Sequence, residues 1–119
     1  MALSEFIQPL QQLVGTVNVQ GNKVDFEYIV PLGTFRGRKV RIGFEVPSDF
    51  PLVPPGGPHV SPQLIPINQN GATHQTRAHP SSFGADWEYW SRPFANEWNK
   101  TDKTVKTYMS YIRKLFDEL

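Results

Sequence analysis

Cysteine is absent from the 119-residue sequence. Disulfides, thiolate metal sites and a thiol nucleophile are therefore excluded. Charge of either sign is scarce, with a formal net charge of +1, so no strong field steers the chain to nucleic acid or anionic lipid. No apolar run approaches the ~20 residues of a membrane span. The opening "MALSEFIQPLQ" has neither a basic region nor a cleavage-like site, so no signal peptide is expected and the expected location is cytoplasmic. His59, His74 and His79 do not have a compact zinc spacing, and Asp86 is the only carboxylate nearby, so neither a metal nor another cofactor is expected. The length fits one domain, residues 1–119, with room for an ordinary core.

Proline and aromatics, by contrast, are plentiful. Proline supplies 11 residues, about twice its usual share. Six prolines lie between Phe44 and Pro62, in "FEVPSDFPLVPPGGPHVSP". Phe83, Trp87, Tyr89, Trp90, Phe94 and Trp98 crowd a second short segment. Only Arg92 interrupts that cluster with a positive charge, so packing explains it better than stacking on nucleic acid bases.

Periodicity supplies the elements. Phe6, Leu10, Leu13 and Val14 share a helical stripe, with Ser4 as a cap and Gly15 as a stop. Pro9 restricts that helix to a start near Gln8 or a bend there. "KVDFEYIV" alternates with Val24, Phe26, Tyr28 and Val30 on one face, and "KVRIGFEV" does so with Val40, Ile42, Phe44 and Val46. "TVNVQ" suggests an earlier strand of the same meander. "HVSPQLIPI" suggests a short last strand, which Pro62 and Pro66 confine to a sheet edge. Residues 68–86 show no period and read as a long loop. Val105, Tyr108, Met109, Ile112, Leu115, Phe116 and Leu119 line a C-terminal helix capped by Thr101 or Asp102.

In this order the elements resemble the ubiquitin-conjugating enzyme fold. The resemblance is most specific at "VPSDFPLVPP", which matches the family's P-x-x-Y/F-P-x-x-P-P signature with Phe50 in the aromatic slot, followed by Pro51, Pro54 and Pro55. His79-Pro80-Ser81 stands where that family has His-Pro-Asn, and Trp98 precedes Asn99 and Lys100 as a family tryptophan does. "WEYWSRPFANEW" is similar to bacterial relatives that accompany ubiquitin-like operons. The resemblance implies an α+β, UBC-like roll: a four-stranded antiparallel meander, an N-terminal helix, a long flap over residues 67–98 and a C-terminal helix. It implies a ubiquitin-like protein or its activating enzyme as partner, with no nucleic acid and no membrane. In the family His79 has a structural role, and Phe6 and Gln8 fall where the activating enzyme docks.

The departure is the missing thiol. The family's cysteine falls at about Ala85 to Trp87, and none of these residues is a nucleophile. One account is a natural variant that binds or presents the modifier or its activating enzyme. Another is a transferase that forms an ester on Ser81, Ser82 or Ser91, with His79 or His74 as base. A third is that Ala85 stands where a cysteine was replaced. Trp87 and Arg92 are further candidates for modifier or partner binding. Arg92 is suited to clamp a carboxylate or to pair with Asp86 or Glu88. The alternative class is an interaction module on the same fold, unconnected with ubiquitin-like modifiers.

Overall fold

Alternation of apolar and polar residues builds the centre of the sheet. In the computed structural model, which describes residues 2–64, 78–90 and 95–117, β2 (Lys23–Ile29) pairs antiparallel with β3 (Lys39–Glu45) from Lys23↔Glu45 to Ile29↔Lys39. Val24, Phe26, Val40, Ile42 and Phe44 are buried on the face that the helices cover. β1 (Asn18–Gln20) adds an edge strand beside β2. The loop between β2 and β3 closes with Val30 N–H donating to Arg38 O and Gly37 N–H to Val30 O.

Among the described residues the sheet has six strands, in the order β1-β2-β3-β4-β6-β5, with every pair antiparallel. Four were expected. The two additional strands, β5 (Ala78–Ser81) and β6 (Gly84–Trp90), form a hairpin in and just beyond the stretch read as a loop. Pro80 and the charges of β6 interrupt the apolar alternation by which strands are recognised. Pro80 is tolerated because β5 is the outermost strand, where a missing N–H breaks no ladder.

β4 (His59–Ser61), expected at an edge, is not at one: it lies between β3 and β6. Pro58 and Pro62 flank the three paired residues rather than interrupting them, and the Pro58 carbonyl accepts from Trp90 N–H at 3.0 Å.

Helix α1 (Ala2–Val14) runs through Pro9 instead of starting near Gln8, which leaves Ser4 inside the helix rather than at its cap. Phe6 and Leu10 are fully buried, but Leu13 is 48% exposed, so the buried stripe is narrower than the sequence suggests. Gly15 ends the helix at φ +85°, donating to Gln11 O.

Helix α3 (Val105–Asp117) buries Val105, Tyr108, Ile112, Leu115 and Phe116. Its cap is Thr104, not Thr101 or Asp102: Thr104 Oγ1 accepts from Thr107 N–H at 3.2 Å, while Asp102 Oδ1 accepts from both threonine hydroxyls. These bonds hold the Asp102 carboxyl below its ordinary pKa, the Thr107 hydroxyl contributing most. No helix among the described residues is long and apolar enough to cross a membrane.

The proline-rich segment packs as a corner between sheet and helices. Phe50 is buried against Phe6, with ring centroids 5.1 Å apart, and against Trp98 at 6.0 Å. The one-turn helix α2 (Ala95–Trp98) brings the Trp98 indole to the corner, where Nε1–H donates to Pro51 O at 2.7 Å. Tyr108 donates to Pro55 O at 3.2 Å, and Pro54 and Pro55 are buried. Prolines bring no N–H that would need a partner, so the chain leaves the sheet without orphaned donors.

Candidate functional site

On the sheet face away from the core, the pairing aligns Gly43, His59, Tyr89 and His79 across β3, β4, β6 and β5. Glycine at 43 is required by close approach, because a Cβ there would lie 2.5 Å from the Phe83 ring. Phe83, at the tip of the β5–β6 hairpin, folds back over Gly43 and meets the His59 ring at 4.5 Å. Tyr89 approaches that ring at 4.7 Å. His59 is consequently 5% exposed.

Burial dominates its titration, lowering the His59 pKa from 6.5 to about 4 against the opposing pull of Glu45; Lys23 lowers it further. The ring is therefore neutral at pH 7. Its 3.7 Å approach to Glu45 Oε1 through Nε2 is a contact of dipole with charge rather than an ion pair. The Glu45 carboxylate beside Nε2 favours the tautomer with its proton on that nitrogen, which leaves Nδ1 as the acceptor. Ser81 Oγ lies 2.7 Å from that Nδ1 and accepts from Phe83 N–H at 3.0 Å.

The hairpin tip is anchored on both sides. The Ser82 hydroxyl donates to Glu45 Oε1 in a short contact, and Lys23 Nζ donates to Ser82 O at 3.1 Å. Lys23 and Glu45 are themselves cross-strand partners. The register jumps between Pro80 and Ser81, which pair with Glu88 and Gly84 respectively, leaving Ala85, Asp86 and Trp87 unmatched. A bulge of this kind re-aims side chains beside it. Gln63 compensates in part, donating to both Ala85 O and Trp87 O at 3.1 Å.

Two openings flank the tip. One, of about 470 Å³, is bordered by the ends of the proline corner and by Glu45, His59, Ser82 and Tyr89. The other, of about 370 Å³, is bordered by Gln63, Ser81, Gly84, Ala85 and Trp87. Beneath them the carboxylate of Glu88, fully buried, accepts from Leu64 N–H and from Trp90 Nε1–H. A third opening, of about 400 Å³, lies between α1 and the corner, beside exposed Leu13.

Several residues singled out in the sequence meet here. Ser81, Ser82 and Trp87 all border the tip, and Trp87 stacks on Phe83 at 5.0 Å. The imidazole that contacts Ser81 is that of His59, however. His79 sits across from Tyr89, with ring centroids 6.4 Å apart. Phe6 is core, packed on Phe44, Phe50 and Tyr108, so its ring is not available as a contact surface. Gln8 is exposed. Ser91, Arg92 and His74 lie outside the described residues. Among the described residues no group of three or more His, Asp or Glu side chains is arranged to hold a metal ion.

His59 and Glu45 were not legible as partners of Ser81. They stand 22 and 36 residues before it, and only the β3–β4–β6–β5 pairing brings the three together. A family model described as Prokaryotic E2 family E matches residues 17–118. No curated protein and no solved structure matches the chain.

Proposed function

Because the chain belongs to the prokaryotic E2 family E, we propose that it acts in a ubiquitin-like conjugation pathway, engaging the modifier or its activating enzyme without forming a thioester. The absence of cysteine carries this reading. The place where the family resemblance puts the thiol is the bulge at Ala85–Trp87. Its backbone is held by Gln63, and it faces an opening beside the hairpin tip. That opening is where the modifier's C-terminus is received. Trp87, on the rim of that opening, contacts the modifier in this reading, with Arg92, outside the described residues, kept as a candidate by its sequence alone. Gln8 and Leu13 on α1 face the activating enzyme. The setting is cytoplasmic, since activation of a modifier consumes ATP.

The test is binding by titration calorimetry, with a bacterial ubiquitin-like protein and its activating enzyme as titrants. Saturable binding of either is expected, with Trp87→Ala weakening modifier binding and Leu13→Asp weakening enzyme binding. If neither binds while an unrelated protein does, the interaction-module reading replaces this one. A hydroxyl-based transferase is the second reading, and the contact between Ser81 and His59 favours it.

A further inference from the structure

We infer that Ser81 is an activated hydroxyl, with His59 as its base and Glu45 orienting the imidazole, and that it accepts an acyl group as an oxyester. Three features point this way. Ser81 Oγ and His59 Nδ1 are already at proton-transfer distance, 2.7 Å. The far nitrogen of the same ring faces Glu45 Oε1 at 3.7 Å, which completes the sequence of nucleophile, base and orienting carboxylate. The ring is fixed between Phe83 and Tyr89, so it cannot swing away from the serine.

The surroundings fit the chemistry. Ser81 borders the 370 Å³ opening, the side from which an acyl carbonyl approaches in this inference. Phe83 N–H donates to the Ser81 oxygen at 3.0 Å, which fixes its position and leaves its remaining lone pair for the acyl carbon. The Ser82 hydroxyl fixes the same Glu45 oxygen that His59 faces.

The step balances without oxidation or reduction. Ser81 Oγ attacks the carbonyl carbon of an acyl thioester, the C–O bond forms and the C–S bond breaks. The hydroxyl proton passes to His59 Nδ1 and then to the departing thiolate, so the ring ends neutral. Burial makes His59 a weak base at rest. Once the ring is protonated, attraction to Glu45 compensates in part, while Lys23 opposes it; Tyr89, Phe83 and Ser81 complete its surroundings. The acylation rate should therefore be modest and nearly level above about pH 5, unlike a free histidine–serine pair. Only the acyl donor, the C-terminus of a ubiquitin-like modifier carried as a thioester, rests on the conjugation reading.

The test uses a fluorophosphonate probe on the whole chain, with labelled residues located by peptide mass spectrometry. Labelling at Ser81 is expected, and His59→Gln should slow it at least about a hundredfold. Ser110, an exposed hydroxyl on α3 that donates to Lys106 O, gives the background rate. A Ser81 rate no higher than that of Ser110, or one unchanged by His59→Gln in folded protein, overturns the inference.

Ser81→Cys guards against a variant that merely unfolds. At pH 7, iodoacetamide alkylation of its sulfur should be at least about tenfold faster with His59 present than with His59→Gln in that background, because the imidazole takes the thiol proton as the sulfur attacks. Equal alkylation rates in the two folded proteins also refute the activation. Probe labelling without transfer from a modifier thioester upholds the activated serine and removes the modifier as donor. Modifier binding without labelling does the reverse.

Discussion

Replacing Gly43 with alanine probes the hairpin tip without touching any polar group of the site. The added methyl would sit 2.5 Å from one Phe83 ring carbon and 2.8 Å from the next, too close to be tolerated. Gly43 lies in the centre of β3, paired with both Asp25 and His59, so the backbone cannot yield easily. Phe83 must move, and with it the ring contact that covers His59. Overpacking of this kind costs about 1–3 kcal/mol, to which a lost aromatic pair adds about 0.5–1.5 kcal/mol. Phe83 is half-buried at a tip, so the lower end of the combined range applies, about 2 kcal/mol. Urea denaturation measures that loss. NMR titration of the His59 ring measures the second consequence: uncovered imidazole regains water, and its pKa climbs from about 4 towards 6.5. An unchanged urea midpoint with His59 still titrating near 4 would refute the close approach.

Three further outcomes follow from the same contacts. His59 binds its proton more weakly in the folded chain than in the unfolded one, so its neutral form stabilises the fold above pH 6.5. That contribution is lost as pH falls from 6.5 to about 4, on the order of 2 kcal/mol after allowance for solvent screening on the Glu45 side; chemical denaturation in a pH series, compared with His59→Gln, reads it directly. Trp98→Phe removes the donor to Pro51 O and part of a fully buried ring, lowering stability by about 2–3 kcal/mol with a corresponding drop in Tm. Thr104→Ala deletes the hydroxyl that accepts from Thr107 N–H and should cost about 1 kcal/mol, seen as a lower urea midpoint with an unchanged slope.

The elements legible in the sequence are those whose burial follows one regular period. β2 and β3 each keep apolar residues on alternate positions, and α3 keeps its stripe from Val105 to Phe116. The corner at residues 46–55 was legible because its prolines leave the chain few conformations. The β5–β6 hairpin was not, because Pro80 interrupts one strand and Glu88, a charge expected in water, points into the interior of the other. There it is retained by the Leu64 amide and the Trp90 indole, partners that no local pattern reveals. Pro9 misled in the opposite sense: burial of Phe6 and Leu10 holds α1 together despite the missing amide. Of the candidate site, the serines and Trp87 could be found by position within a motif. His59 could not, since a histidine between two prolines in "GPHVSP" carries no signal of the hydroxyl it will meet.

Trp98 and Tyr108 fasten the proline corner from the far end of the chain, and α3 roofs the apolar side of strands made long before it. During synthesis, β2 and β3 leave the ribosome with only α1 to cover that side, and the part beneath α3 stays bare until that helix emerges. A truncation or stalled product ending before Tyr108 therefore exposes a sticky sheet, and is a substrate for chaperones and proteases rather than a smaller version of the same protein.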